Sequence, residues 1–199
     1  MHLLFNHPKI NNKKGEKGLS LIESAMVLAL AATVTAGVMF YYQAASDSNK
    51  TQATISEVMS ATSAINGLYI GQSGYSGLTE AVLKNSSAIP ENYKKGNEIM
   101  NPFGGNLNVG AANGNNGYGY YLSLSKLPKS ACISLATLNL GTSAYGYGIG
   151  IDSPAGHNNF IDSTASFSSG SAKKSALSPS DASGACADGN ENKVIYFMK

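Results

Sequence analysis

The sequence contains no tryptophan and no arginine, and its fourteen strongly basic side chains are all lysines. Charged residues make up only 13% of the chain. A nucleic-acid-binding protein typically shows a stripe of basic residues, and arginine is the side chain that binds phosphate through two parallel hydrogen bonds. The sequence has neither feature. We therefore expect no nucleic-acid partner.

Groups for metal binding or catalysis are also scarce. Beyond residue 18, His157 is the only histidine, and Cys132 and Cys186 are the only cysteines, which are too few ligands for a metal site. His157 lies in a Gly/Asn-rich stretch, where we expect a solvated side chain, and no recognisable base accompanies the many serines. The glycine repeat at 146–150 lacks the Lys-Ser/Thr pair of a phosphate-binding loop. We expect no metal, no cofactor and no enzymatic activity.

An uncharged, mostly apolar run at residues 19–42 dominates the N-terminal part of the chain, with Glu23 as its only charge. The run has 24 residues, and about 20 apolar residues are enough to span a bilayer. A leader rich in lysine, residues 1–18, precedes it, and positive charge favours the cytoplasmic side of a membrane. The pattern predicts a single pass through a membrane, with the leader on the cytoplasmic side and the remaining residues on the other side.

A cleaved secretory signal is the alternative explanation of this run. Such a signal has a shorter apolar core that ends in a small-x-small cleavage site. Here the junction between Gly18 and Leu19 resembles a cleavage site, and it lies before the apolar run. Cleavage at this junction leaves the run in the mature protein.

The segment KGLSLIE at residues 17–23 resembles the processing site of type IV pilins. The resemblance extends to LSLIESAMVLALAATVTAGVMFYYQAASDSNK, to SEVMSATSAINGLYIGQ and to the C-terminal KVIYFMK, which are similar to the type IVb pilins of bundle-forming pili in enteropathogenic enteric bacteria. It weakens over residues 152–192 and at the extreme N-terminus. The chain is therefore identified as a member of the type IVb pilins.

The resemblance implies roles for three residues at the junction. Prepilin peptidase would cleave after Gly18 and methylate the new N-terminal residue, Leu19. Glu23 would pair with the free amine of Leu19 on a neighbouring subunit during assembly. The alternative for Glu23 is a carboxylate that reaches the membrane surface from its position near the helix end.

The resemblance also implies a function, which we state as an expectation. The chain would be the major structural subunit (the prepilin) of a bundle-forming pilus, held in the inner membrane before assembly and extracellular afterwards. Its partners would be further copies in a helical filament, prepilin peptidase, the pilus assembly machinery, other pili and the host cell surface. Its roles would be bacterial autoaggregation and adherence. The alternative is a pseudopilin or minor pilin of a type II secretion-like machine.

Cys132 and Cys186 both follow the membrane segment, and so we expect them in an oxidising compartment, where a pair of cysteines usually forms a disulfide. This expectation rests on compartment and number, because the spacing alone does not establish the bond. A closed loop of this size would contribute about 4 kcal/mol in the chain-entropy model.

A single long helix is predicted over residues 19–70, because proline is absent and the apolar pattern becomes one-sided after residue 43. In that second half the polar side chains, Glu57 among them, fall mostly off the apolar stripe. The stripe comprises Ile55, Val58, Met59, Thr62, Ile65 and Tyr69.

The remaining pattern predicts an α+β head: a long N-terminal helix packed against an antiparallel sheet, with a disulfide-bounded C-terminal region. We divide the chain into a leader (1–18), the long helix (19–70, with 19–42 in the membrane or filament core) and a globular head (71–199). Short helices are predicted at 78–84, 129–140 and 178–182, and strands at 106–109, 118–127, 145–151 and 193–198.

The surface that varies most from relatives is expected at residues 152–192, which are rich in serine and glycine. We expect Lys173 and Lys174 to be exposed there, away from the assembly helix. After removal of the leader, ten lysines face eleven acidic residues, a net charge of −1. Fibres with so little charge repel one another weakly, which favours lateral association.

Overall fold

A computed structural model describes residues 20–87, 89–114, 116–161 and 165–199. The chain divides into two units between Gln43 and Ala44. The first helix, α1 (Leu21–Leu68), contributes to both units. The predicted helix is therefore confirmed with slightly shorter bounds, and its predicted start at Leu19 lies outside the described residues.

In the first unit, α1 is apolar on all sides and exposed along its length. Leu21 is 86% exposed and Phe40 is 77% exposed. The hydroxyls of Thr33 and Thr35 donate to carbonyl oxygens of the preceding turn, so these polar groups are satisfied within the helix. The helix is long and apolar enough to cross a membrane, and internal satisfaction of polar groups is what a bilayer requires.

In the second unit, α1 buries one side. Its buried residues are Thr54, Glu57, Val58, Ala61 and Ile65, which recur at intervals of three and four residues. The predicted helical spacing of the buried residues is confirmed, but two residues were assigned to the wrong side of the helix. Met59 was expected on the buried stripe but is 59% exposed, whereas Glu57 was expected off it and is buried.

The head contains three further α-helices and eight strands among the described residues. The helices are α2 (Glu80–Lys84), α3 (Lys129–Ala136) and α4 (Pro179–Ala185). The strands are β1 (Lys94–Lys95), β2 (Glu98–Ile99), β3 (Leu107–Ala111), β4 (Tyr120–Leu127), β5 (Ala144–Ile149), β6 (Phe160–Ile161), β7 (Ala172–Lys173) and β8 (Asn192–Met198).

Six of the strands form one sheet in the order β3-β4-β8-β5-β7-β6, and β1 and β2 form a separate hairpin. All pairs in the large sheet are antiparallel except β6 with β7, which is parallel. The four predicted strands are confirmed as β3, β4, β5 and β8. The last strand in the sequence, β8, lies between β4 and β5, and Val194–Met198 is buried throughout. A central strand covered on both faces explains the continuous apolar run VIYFM.

The two faces of β8 belong to different hydrophobic clusters. Val194, Tyr196 and Met198 belong to the main core, which also includes the buried side of α1 in the head. Ile195 and Phe197 belong to a smaller cluster on the opposite face. Alternate residues of a strand point to opposite faces, which accounts for the division.

His157 is half-buried and packs on the smaller cluster, so the expected solvated side chain is only partly exposed to solvent. Its ring stacks on Phe197 with centroids 5.4 Å apart and meets the edge of Phe160 at 5.4 Å. Tyr118 and Tyr145 extend the same cluster, with centroids 6.2 Å apart.

The disulfide between Cys132 and Cys186 is present, as predicted. Cys132 lies in α3, and Cys186 directly follows α4. The loop that it closes contains β5, β6, β7 and α4. The buried Asn192 joins the segment after the disulfide to the end of β4, because its amide donates to the carbonyls of Leu127 and Ala187.

Candidate assembly and surface sites

The start of α1 presents an exposed carboxylate. Glu23 Oε2 accepts a hydrogen bond from the backbone N–H of Ser20 at 2.9 Å, and the residue is exposed. A carboxylate at a helix N-terminus is favoured by the helix dipole and by the unpaired N–H groups there. Gly18 and Leu19, the two predicted processing residues, lie outside the described residues. Of the three predicted residues, the structure therefore shows Glu23, at the start of α1. Its exposed carboxylate can accept hydrogen bonds from N–H donors at this end of the helix.

The first unit exposes more apolar surface than is usual for a soluble monomer. Large side chains more than half exposed continue from Leu21 to Tyr42. Soluble monomers rarely expose apolar patches beyond a few hundred Å², and larger ones mark membrane or protein contacts. This arm, residues 21–43 of α1, is therefore suited to a bilayer or to contact with other apolar helices.

The segment at residues 152–192 places Lys173 differently from the sequence-based expectation. Lys173 is buried, and its Nζ donates to Asp181 Oδ2 at 2.9 Å. The hydrogen bond from Lys173 holds the pKa of Asp181 below its ordinary value. Lys174 is exposed, with its Nζ 5.5 Å from the centroid of the Tyr145 ring. Only Lys174 is thus a surface residue, because Lys173 joins β7 to α4.

The two lysines should respond differently to charge reversal. Lys173→Glu removes the cation that pairs with Asp181 and places a second carboxylate beside it, at a position where the side chain is 7% exposed. Lys174→Glu removes an exposed cation from an aromatic ring, which costs about 1 kcal/mol or less. We expect thermal unfolding of the purified protein to show a large loss of stability for the first variant and little for the second. Equal losses would contradict this assignment.

Acidic and basic side chains line one cavity of the head: Lys126, Asp152, Asp188, Glu191 and Lys193. Within residues 152–192 five acidic residues face two lysines, a net charge of −3, so this segment is more acidic than the near-neutral charge of the whole mature chain suggested. Lysines from outside the segment offset this charge. Lys193 Nζ lies 2.9 Å from Asp152 Oδ1, and Lys129 Nζ lies 2.8 Å from Asp188 Oδ1. Both carboxylates are 93% exposed, so each pair contributes little to stability.

A buried carboxyl group was missed by the sequence analysis. Glu57 is 3% exposed, and neither of its carboxyl oxygens has a hydrogen-bond partner among the described residues. Burial raises its pKa from the ordinary value of 4.5 to about 8. The available signal was its spacing from Thr54 and Ala61, at three and four residues, which continues the buried side of the helix.

Comparison with known proteins identifies close relatives. The model of the family described as Bundlin matches residues 43–199. A protein of Escherichia coli O127:H6 (strain E2348/69 / EPEC), named "Major structural subunit of bundle-forming pilus", is 66% identical over 194 residues, covering 96% of this chain and 98% of the relative. A protein of the same name from Escherichia coli O111:H- is 65% identical with the same coverage.

Two solved structures share the fold at low sequence identity. The type IV b pilin from Salmonella typhi is 17% identical, with a TM-score of 0.54, and the match covers 76% of this chain and 99% of that one. TcpA, a type IV pilin from Vibrio cholerae El Tor biotype, is 14% identical with the same TM-score and coverage. The long helix, antiparallel sheet and disulfide-bounded C-terminal region are therefore a type IV pilin fold.

Proposed function

The chain belongs to the bundlin family, and we propose that it is the major structural subunit of a bundle-forming type IVb pilus. The observation that carries this proposal is 65–66% identity, over nearly the whole chain, to two proteins named for that role. The exposed apolar arm supports it, because such an arm is suited to a membrane before assembly and to a bundle of helices afterwards. The role is structural and non-enzymatic.

The order of events follows from the N-terminal sequence. Residues 1–18 form the leader, and prepilin peptidase removes it between Gly18 and Leu19 and methylates the new N-terminus. Residues 19–70 form the assembly helix, of which 19–42 hold the subunit in the inner membrane. Residues 71–199 form the head. The lysines of the leader and the apolar run that follows it support this division.

Assembly proceeds through a contact that does not close on itself. The amine of Leu19 on an incoming subunit pairs with Glu23 of a neighbour, while the arms pack together. A head-to-tail contact of this type generates a helical filament rather than a closed ring. The exposure of Glu23 and its position at the helix start support the pairing.

The assembled fibre is extracellular and presents the head. Its surface, including residues 152–192, contacts other pili and the host cell surface, which leads to autoaggregation and adherence. The pilus assembly machinery is the further partner before export. The names of the two close relatives favour this role over a pseudopilin or minor pilin of a type II secretion-like machine.

Replacing Gly18 with phenylalanine tests the processing step. Because the peptidase recognises a small residue before the apolar helix, we expect the full-length protein to accumulate in the inner membrane with its leader attached, and no fibres to form. Mass spectrometry of the membrane fraction measures the N-terminus. Ser20→Ala is the matched control, since it retains both residues of the junction. A Gly18→Phe protein that begins at Leu19 would contradict the proposed site.

A further inference from the structure

Glu57 is an acidic residue in the interior of the second unit, which comprises residues 44–68 of α1 and the head. It lies in the head segment of α1 (residues 44–68), beside the buried Val58 and four residues before the buried Ala61. Thr54 faces the same side, but its hydroxyl donates to the carbonyl of Lys50. A buried polar group without a partner typically costs 1–3 kcal/mol, and an ionised one costs more.

The ionisable groups around this part of the core do not compensate the carboxyl group. Lys50 lies seven residues earlier on the same side of α1, but its Nζ lies over the Phe103 ring, 5.8 Å from the centroid. Burial is the cause of the raised pKa of Glu57, and no charged or hydrogen-bonding group lowers it. The other elements of the main core contribute the tyrosines Tyr69, Tyr75, Tyr93, Tyr120, Tyr147 and Tyr196. On α2, Glu80 is half-buried: its carboxylate accepts a hydrogen bond from the backbone N–H of the core residue Ile99, and burial raises its pKa.

The four core tyrosines whose pKa is raised by burial remain neutral while Glu57 titrates. Burial raises the pKa of Tyr75, Tyr120, Tyr147 and Tyr196 above an ordinary value of 10. The only cysteines beyond the leader are joined in the disulfide and do not titrate. Glu57 is therefore the buried carboxyl group of this core that has no hydrogen-bond partner among the described residues, and its charge changes between pH 5 and 8.

We propose that Glu57 makes the packing of the head segment of α1 sensitive to pH. With its proton bound, the neutral side chain packs in the core. Without it, an unpaired negative charge lies in the core, and the head relieves this charge by opening the helix around Glu57 to water. The device acts in the single subunit and does not depend on the proposed pilus function.

The direction of the effect follows from proton linkage. In the unfolded chain the carboxyl group loses its proton near pH 4.5, whereas in the folded head it retains the proton up to about pH 8. Between these values the folded state binds more protons, so stability falls as pH rises. Below pH 4.5 the penalty is absent, and above about pH 8 it is fully present and constant.

Denaturant unfolding of the full-length mature chain in detergent micelles tests the proposal. Tyrosine fluorescence mainly reports the head, since nine of the eleven tyrosines lie at residues 69–196 and the chain has no tryptophan. Between pH 5 and pH 9, we expect the unfolding equilibrium constant of the unchanged protein to rise relative to Glu57→Gln, by up to about a thousand-fold. Glu57→Met, which also removes the polar group, provides the same comparison if the glutamine variant does not fold.

The matched control and a local measurement complete the test. Glu91→Gln changes a carboxylate that is 87% exposed, and its pH profile should follow that of the unchanged protein. Hydrogen exchange of the amides at 54–62, corrected for the chemical exchange rate, should become faster at pH 8.5 than at pH 6 in the unchanged protein but not in Glu57→Gln. Parallel pH profiles for the unchanged protein and the Glu57 variants, or equal amide protection at both pH values, would overturn the proposal.

Discussion

Cells that carry Glu23→Val are expected to insert and process the subunit normally and to produce few or no fibres. The carboxylate of Glu23 is the only charge in residues 19–42, and it is exposed at the start of α1. A charge at the centre of a membrane helix costs about 2.5–3.5 kcal/mol on insertion scales and less near an end. Valine removes this cost, so insertion does not suffer.

Assembly is expected to suffer because the same substitution removes the proposed partner for the amine of Leu19 on a neighbouring subunit. In an apolar filament core, one charge left without its partner typically costs about 3–5 kcal/mol, which is a factor of a hundred or more in an equilibrium constant. The yield of sheared fibres, divided by the amount of subunit in the membrane, measures the effect by immunoblot.

Two further variants separate charge from shape at this position. Glu23→Gln retains a hydrogen-bond acceptor of similar size but has no charge, and we expect it to assemble poorly as well. Glu23→Asp retains the charge on a shorter side chain and should restore part of the yield. Normal fibre yield from the glutamine variant would show that charge pairing at Glu23 is not required.

Loss of the Cys132–Cys186 disulfide is expected to remove most of the folded subunit from the cell. The two residues are 54 apart in the sequence, and closing a loop of this size contributes about 4 kcal/mol in the chain-entropy model. Typical domains have only 5–15 kcal/mol of total stability. The loop contains β5, which pairs with the central strand β8, so its release loosens the middle of the sheet.

Cys132→Ala, Cys186→Ala and the double variant should show similar, several-fold reductions in steady-state subunit, since each removes the same bond. Immunoblots of whole cells measure the level, and thiol labelling of the unchanged protein should find no free cysteine. Ser134→Ala changes an exposed residue of α3 and is the matched control. A single-cysteine variant that accumulates to the normal level would show that the bond is dispensable for stability.

The features predicted best from the sequence are those with a long, uniform pattern. The apolar run and its one-sided continuation indicated α1 within two residues of its observed end at Leu68. Alternation of Tyr120, Leu122 and Leu124 indicated β4, and the apolar run at the C-terminus indicated β8. These patterns arise from burial itself, so they are visible without knowledge of the neighbouring strands.

The features that were missed depend on contacts distant in the sequence. Lys173 is buried because Asp181 lies opposite, and His157 is packed because Phe197 comes from the other end of the chain. The strands β6 and β7 have two residues each and show no periodic pattern. Glu57 was assigned to the polar side by its chemistry, although its spacing matches the buried side of α1.

The central claim is that this chain is the repeating subunit of a long extracellular fibre. Electron microscopy of cells with and without the gene, combined with mass spectrometry of fibres sheared from the surface, tests it most directly. The account predicts long, bundled fibres only in cells that carry the gene, composed mainly of this chain and beginning at a methylated Leu19. Fibres that persist without the gene, or a processed protein that remains in the cell envelope without any fibre, would contradict it.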